Sequence, residues 1–187
     1  MGYEVHPLPL QGALLIHLRK VRDGRGFFAE LFRSSFQESL QLPTFVQDNL
    51  SYSVRGVLRG LHFQKPPLSQ AKLVTVLLGQ IRDVIVDLRP SSPTYKQWYA
   101  IEIAADASQL TWLYVPVGFA HGFYVLSEEA LVLYKCSAYY EPSLDAGIRW
   151  NDPQLSIDWG LKGSPILSEK DAALPLLDEQ HNPFGAL

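Results

Sequence analysis

The sequence predicts an all-β chain, an antiparallel sandwich or barrel with a few short peripheral helices. Three observations point that way. Short runs rich in β-branched and aromatic residues recur along the 187 residues, with Gly, Pro, Asp and Ser turn signals between them. Helical patterns are sparse. No internal repeat or low-complexity stretch suggests a solenoid or a linker.

Taken in order, the candidate strands are Ala13–Leu18, Phe27–Phe32, Asp48–Val54, Val57–Phe63, Leu73–Leu78, Ile81–Leu88, Trp98–Ile103, Thr111–Val115, Gly122–Leu126 and Leu131–Ala138. Gly79-Gln80 between two apolar runs reads as a tight hairpin, and Arg89–Thr94, with two prolines, as a loop. Ser34–Leu42 predicts one short helix that stops before Pro43. Ser168-Glu169-Lys170-Asp171 resembles a capping box with Asp in the Glu position and predicts a second helix start.

Composition bounds the function. The length suits one domain over residues 1–187. A net charge of -3 without a Lys/Arg stripe argues against a nucleic-acid partner. No apolar run reaches membrane-spanning length, and Met1-Gly2-Tyr3-Glu4 has no signal-peptide character. The single cysteine, Cys136, fits a reducing cytoplasm and reads as a small core residue in an apolar strand.

The polar residues inside the strands carry the functional reading. Gly56–Gln64 places Arg59 and His62 amid apolar side chains, where unpartnered polar groups would be costly. The two differ by an odd number, so a regular strand points them to opposite faces. Both reach one pocket only if the strand bulges, and Gly60 between them is where that is expected. By the same period of two, Gln47, Asn49, Ser51 and Ser53 share a face, as do Asp83 and Asp87 with Ile81 and Ile85. Such faces are either solvated or line a polar barrel mouth.

Pro116-x-Gly118-x-x-His121 is the second half-signature of cupin jelly rolls. The first half would offer His-x-His and an acidic ligand, but the chain has His62-Phe63-Gln64 followed by Lys65, Pro66, Pro67 and Leu68. That is a poor ligand set, so no metal is expected. Acid–base groups remain. His62 suits a base near neutral pH. Lys72 is the only charge in Ala71–Gly79, either an oxyanion-holding ammonium or a strand-end lysine in solvent. Tyr134 is a mid-strand tyrosine, either core or acid.

Together these residues resemble the dTDP-4-dehydrorhamnose 3,5-epimerase family. The ordered matches include Asp23–Glu30, Gln47-Asp48-Asn49, Gly56–His62, Gln70–Val74, Asp83–Arg89, Pro116–Phe123, Leu133–Cys136, Gly147–Pro153 and Leu167–Asp171. The resemblance implies a cupin-type jelly roll without cofactor, a homodimer sharing N-terminal strands, and a dTDP-linked 4-keto-6-deoxyhexose as substrate. It assigns His62 as the base, Asp171 as its partner, Tyr134 as the acid and Lys72 as the enolate-holding cation. Gln47, Asp48, Asn49, Arg59 and His121 correspond to substrate-contact positions. Arg25, Phe27 and Glu30 correspond to nucleotide contacts made across the dimer. Tyr140 corresponds to the base-stacking position, and Asp145 and Lys170 to further nucleotide contacts. The family usually has Glu at the position of Asp145, and a His-Ala pair where this chain has Leu68-Ser69. Alternatives are a single-carbon epimerase, a metal-dependent cupin isomerase or oxygenase, and a non-catalytic sugar-nucleotide binding module.

Overall fold

The computed structural model describes residues 2–105, 108–180 and 184–185. Its strands are β1 (Tyr3–Pro7), β2 (Leu14–Arg19), β3 (Val21–Asp23), β4 (Gly26–Phe28), β5 (Gln47–Val54), β6 (Leu58–Gln64) and β7 (Lys72–Leu78). They continue with β8 (Gln80–Asp87), β9 (Trp98–Ala104), β10 (Gln109–Val115), β11 (Phe119–Val125), β12 (Glu129–Cys136) and β13 (Asp145–Gly147). Two short helices, α1 (Ser34–Ser39) and α2 (Glu169–Ala172), lie outside the sheets. Among the described residues, no helix is long and apolar enough to cross a membrane.

One sheet has six strands in the order β1-β2-β10-β7-β12-β5, the other five in the order β13-β6-β11-β8-β9, and β3-β4 form a separate hairpin. Every pairing between these strands is antiparallel. The pairs β5–β12, β6–β11, β7–β10 and β8–β9 nest inside one another. This is a long hairpin rolled into two layers, the topology of a jelly roll.

The inner faces meet in an apolar core that includes Val74, Val76, Ile81, Ile85, Leu113, Phe119, Phe123 and Val132. Leu155, Trp159, Leu177 and Phe184 cover the outer face of the five-stranded sheet, and Phe36 and Leu42 part of the other. Closing both layers in this way removes apolar surface from water, at about 25 cal/mol per Å².

The expected strands are present with three differences. The run Phe27–Phe32 is strand only as far as Phe28; Leu31 and Phe32 instead pack against the six-stranded sheet, and the Leu31 carbonyl accepts from Trp112 Nε1 at 2.9 Å. Gly79-Gln80 is a corner between sheets and not a hairpin, because β7 and β8 belong to different sheets. Gly79 has φ 77°, and a Cβ there would lie 1.9 Å from the Glu129 carbonyl oxygen. A positive-φ glycine suits either turn, so local chemistry does not tell hairpin from corner. The third difference is the addition of β1, β3 and β13, which are short and lack a buried alternating face.

Both helix expectations hold in outline. α1 ends before Pro43, and Ser168 caps α2, its Oγ accepting from Asp171 N at 3.0 Å.

Candidate active site

The core is apolar at one end of the sandwich and polar at the other. There a cavity of about 300 Å³ opens between the sheets, lined by Gln47, Asn49, His62, Gln64, Gln70, Lys72, Tyr134, Cys136, Tyr140, Asp145 and Lys170. A smaller space of about 140 Å³ shares His62, Lys72 and Tyr134 with it and adds Ser51, Arg59, His121, Gly122 and Phe123.

The parity problem of Arg59 and His62 is resolved by a bulge. His62 pairs with His121 and Arg59 with Phe123, so three steps along β6 match two along β11. His121 and Phe123 share a face, and the extra residue puts His62 and Arg59 on that face too. Gly60 has φ 112°, and a Cβ on it would lie 2.7 Å from both Gly122 Cα and the His121 carbonyl oxygen. A second glycine, Gly122, completes this close approach, because its own Cβ would lie 2.6 Å from the Arg59 carbonyl oxygen. Arg59 then reaches across to β5, with Nε donating to Ser53 Oγ at 3.0 Å.

The five-stranded sheet supplies the basic wall. His62 Nε2 lies 2.5 Å from Asp171 Oδ1. Asp171 is delivered by α2, and the segment after α2 is tied to the β13 loop. The Leu174 and Pro175 carbonyls accept from Arg149 Nε at 2.9 Å and Arg149 N at 2.8 Å, and Asp152 Oδ2 accepts from Leu177 N at 2.7 Å. Burial by itself would push the Asp171 carboxyl up. The His62 hydrogen bond and charge, the Ser168 bond and the Gly60 N–H outweigh it and hold the group below the ordinary carboxylate value.

The six-stranded sheet supplies the opposing wall. The cross-strand rows Gln47–Cys136–Lys72 and Asn49–Tyr134–Val74 face inward. The face that sequence left open between solvent and pocket is the pocket face, and β5 is exposed at Asp48, Leu50, Tyr52 and Val54 instead. Burial pushes the Lys72 ammonium down, against the raising charges of Cys136, Asp145 and Asp83. Burial raises the Tyr134 phenol, which therefore keeps its proton through neutral pH. Burial also raises the Cys136 thiol, so it is no ready nucleophile; it is a small buried residue, as expected, but one that faces the cavity. A chain of bonds orients the amides beside it. Gln47 Oε1 accepts from Tyr140 N at 2.8 Å, Gln47 Nε2 donates to Asn49 Oδ1 at 3.0 Å, and Asn49 Nδ2 donates to Cys136 Sγ at 3.6 Å.

At the mouth, Tyr140 Oη donates to Asp145 Oδ2 at 2.9 Å, and Lys170 Nζ donates to the same oxygen. The shorter aspartate reaches both partners. Burial would raise the Asp145 carboxyl, but Lys170 and Tyr140 hold it low.

Four of the sequence-predicted residues are not at this cavity in the single chain. Asp48 points outward from β5 and pairs with Lys135 Nζ at 2.6 Å. Arg25 and Phe27 sit on the exposed β3-β4 hairpin, with Arg25 bonded to Asp23, and Glu30 pairs with Arg33 at 2.5 Å beside a separate cavity.

Three residues of the site were missed. Gln64 stands where a cupin would place its second ligand histidine. Its Nε2 donates to the Tyr139 carbonyl at 2.9 Å and to the Leu68 carbonyl, while Oε1 accepts from Glu141 N at 2.9 Å, so it braces two loops. Gln70 also lines the cavity. Asp83 is fully buried and bonds His121; its signals in the sequence were a carboxylate on the face of Ile81 and Ile85 and a place in the Asp83–Arg89 motif, neither of which assigned it a role. Among the described residues, no group of three or more His, Cys, Asp or Glu is placed to hold a metal ion.

A family model described as dTDP-4-dehydrorhamnose 3,5-epimerase matches residues 7–179. The chain belongs to this family. It is 46% identical over 168 residues to the dTDP-4-dehydrorhamnose 3,5-epimerase of Salmonella typhimurium, covering 89% of this chain and 91% of that protein. A Legionella pneumophila dTDP-6-deoxy-D-glucose-3,5-epimerase, solved in complex with dTDP-4-keto-L-rhamnose, superposes with a TM-score of 0.88 at 44% identity, covering 95% and 94% of the two chains. A 3'-monoepimerase from Streptomyces bikiniensis, in complex with dTDP-quinovose, superposes with a TM-score of 0.83 at 34% identity, covering 92% and 87%. The family membership agrees with the jelly roll and with the ordered motifs.

Proposed function

We propose that this chain inverts C3 and C5 of dTDP-4-keto-6-deoxyglucose, giving dTDP-4-keto-L-rhamnose for deoxysugar synthesis. The observation that carries the reading is the opposition of His62, on one sheet and bonded to Asp171 of α2, to Tyr134 on the other sheet, with Lys72 beside Tyr134. The 4-keto group acidifies the C–H bonds on either side of it. His62 takes a proton from one face, the electron pair moves into the enolate, and Lys72 stabilises the oxyanion in a site that burial keeps poorly solvated. Tyr134 returns a proton to the same carbon from the opposite face, so configuration inverts and no electrons are lost or gained. Asp171 fixes the imidazole tautomer and stabilises the imidazolium. Arg59, His121, Gln47 and Asn49 hold the sugar and phosphates, and Tyr140, Asp145 and Lys170 hold the nucleotide at the mouth.

The site is completed by a second copy of the chain. Two features support this: the exposed hairpin bearing Arg25 and Phe27, and the exposed apolar outer face of Leu50, Tyr52, Val54 and Leu78. A homodimer would bury that face and bring Arg25, Phe27 and Glu30 to the partner's nucleotide. The whole chain would act as one domain in the cytoplasm, where the free Cys136 is at home.

Turnover in D2O, followed by NMR of the product, tests the reading. Deuterium at C3 and C5 with the L-rhamno configuration is the expected result, and folded protein that exchanges neither carbon sinks it. The similarity to a 3'-monoepimerase favours a second reading, in which deuterium enters at C3 alone.

A further inference from the structure

The wall that carries His62 holds a second imidazole–carboxylate pair. His121 lies opposite His62 in the β11–β6 ladder, and its Nε2 is 2.9 Å from Asp83 Oδ2 on the neighbouring strand β8. Asp83 is fully buried, and among the described residues its Oδ1 has no hydrogen-bond partner. A buried, half-satisfied carboxylate is costly if it only fills a core, where an apolar side chain would serve better. The neighbouring Asp87, equally buried, shows the contrast: Arg89, Ser92 and Thr94 saturate it. Asp83 is left short of partners at the point where β8 passes under the cavity.

We propose that Asp83 is a positioning residue of this site, fixing the orientation and tautomer of His121 through its Nε2–H. With Nε2 engaged by the carboxylate, Nδ1 is the ring atom left for whatever occupies the inner cavity lined by Arg59, His62, Lys72, His121 and Tyr134. The carboxylate thereby fixes which nitrogen of His121 carries the proton.

The catalytic consequence rests on the epimerase reading; the ring state of His121 does not. Long-range 1H–15N spectra of the full-length protein labelled with 15N-histidine read that state directly, with His121 assigned by the loss of its signals in His121→Asn. The expected neutral form carries its proton on Nε2, and an Nδ1-protonated form in the wild type overturns the proposal. In turnover of the 4-keto sugar, Asp83→Asn is expected to lower kcat by about 10- to 100-fold with little change in KM, the usual effect of losing an orienting partner. A wild-type kcat in Asp83→Asn overturns the proposal. Should that variant fail to fold, the wild-type spectrum decides alone. Wild-type protein that leaves the sugar unchanged defeats the epimerase reading, and the spectra still decide the role of Asp83.

Discussion

The floor and the mouth of the cavity are built in different ways. The floor groups His62, Lys72, Tyr134 and His121 stand on paired strands of both sheets, their backbone positions set by ladder hydrogen bonds. The mouth groups Tyr140 and Lys170 are exposed and meet at Asp145, with Tyr140 on a loop, Lys170 on the four-residue helix α2 and Asp145 on the short edge strand β13. Sheet-borne groups hold their geometry before substrate arrives, which is what stabilising a transition state requires. Groups on loops and short peripheral elements can adapt, which suits the nucleotide-holding role proposed for the mouth. Floor variants should therefore change kcat, and mouth variants KM.

The largest expected effect is that of His62→Ala. With the proposed base gone, deuterium wash-in at C3 and C5 should fall by roughly 10³- to 10⁴-fold while dTDP binding by calorimetry stays near wild type. A comparable loss of dTDP binding would merge floor and mouth into one unit. Tyr134→Phe sharpens the roles within the floor. Its product should be depleted in inverted sugar by about 10²-fold, while the recovered substrate still gains deuterium, because deprotonation by His62 survives. Recovered substrate free of deuterium would place the tyrosine in the first step.

Lys72→Met separates function from stability. The turnover number should drop by about 10²-fold with loss of the oxyanion cation. The melting temperature at pH 7 should rise by roughly 2–4 °C, the response of a chain this size to about 1 kcal/mol. The sign follows from linkage. A lysine whose folded-state pKa lies below its unfolded value costs stability while it stays protonated, and the cost fades as pH climbs through the depressed value toward 10.5. The gain from Lys72→Met should shrink over that same window. The smallest effect is expected at the mouth, where Asp145→Asn should raise KM by about tenfold with kcat unchanged. A fall in kcat of the same size would show that the mouth takes part in chemistry.

Some of this molecule follows from local rules. The alternation in β5, the cap at Ser168 and the helix stop before Pro43 depend only on near neighbours in the chain, and each is readable from residue types. The ordered motifs likewise pointed to the family, and that resemblance implied His62 as base and Tyr134 as acid. Which face of a strand is wet is a different kind of fact. Gln47, Asn49, Ser51 and Ser53 point inward, and the apolar Leu50, Tyr52 and Val54 outward, because the other sheet lies where it does.

The same holds for Gly79, whose backbone fits a hairpin or a corner until the partner strands are known. Asp83 is readable only as a polar residue in an apolar strand, since its partner His121 is 38 residues away. The opening question, whether Arg59 and His62 serve one pocket, was posed by sequence and answered by the bulge against β11. Side-chain parity is a property of the strand itself, whereas the register shift that changes it is created by pairing with another strand. Residue types and their order thus determined most of the strands, the family and the chemical groups. The tertiary structure decided which of those groups face one another, because facing depends on contacts between residues far apart in the chain.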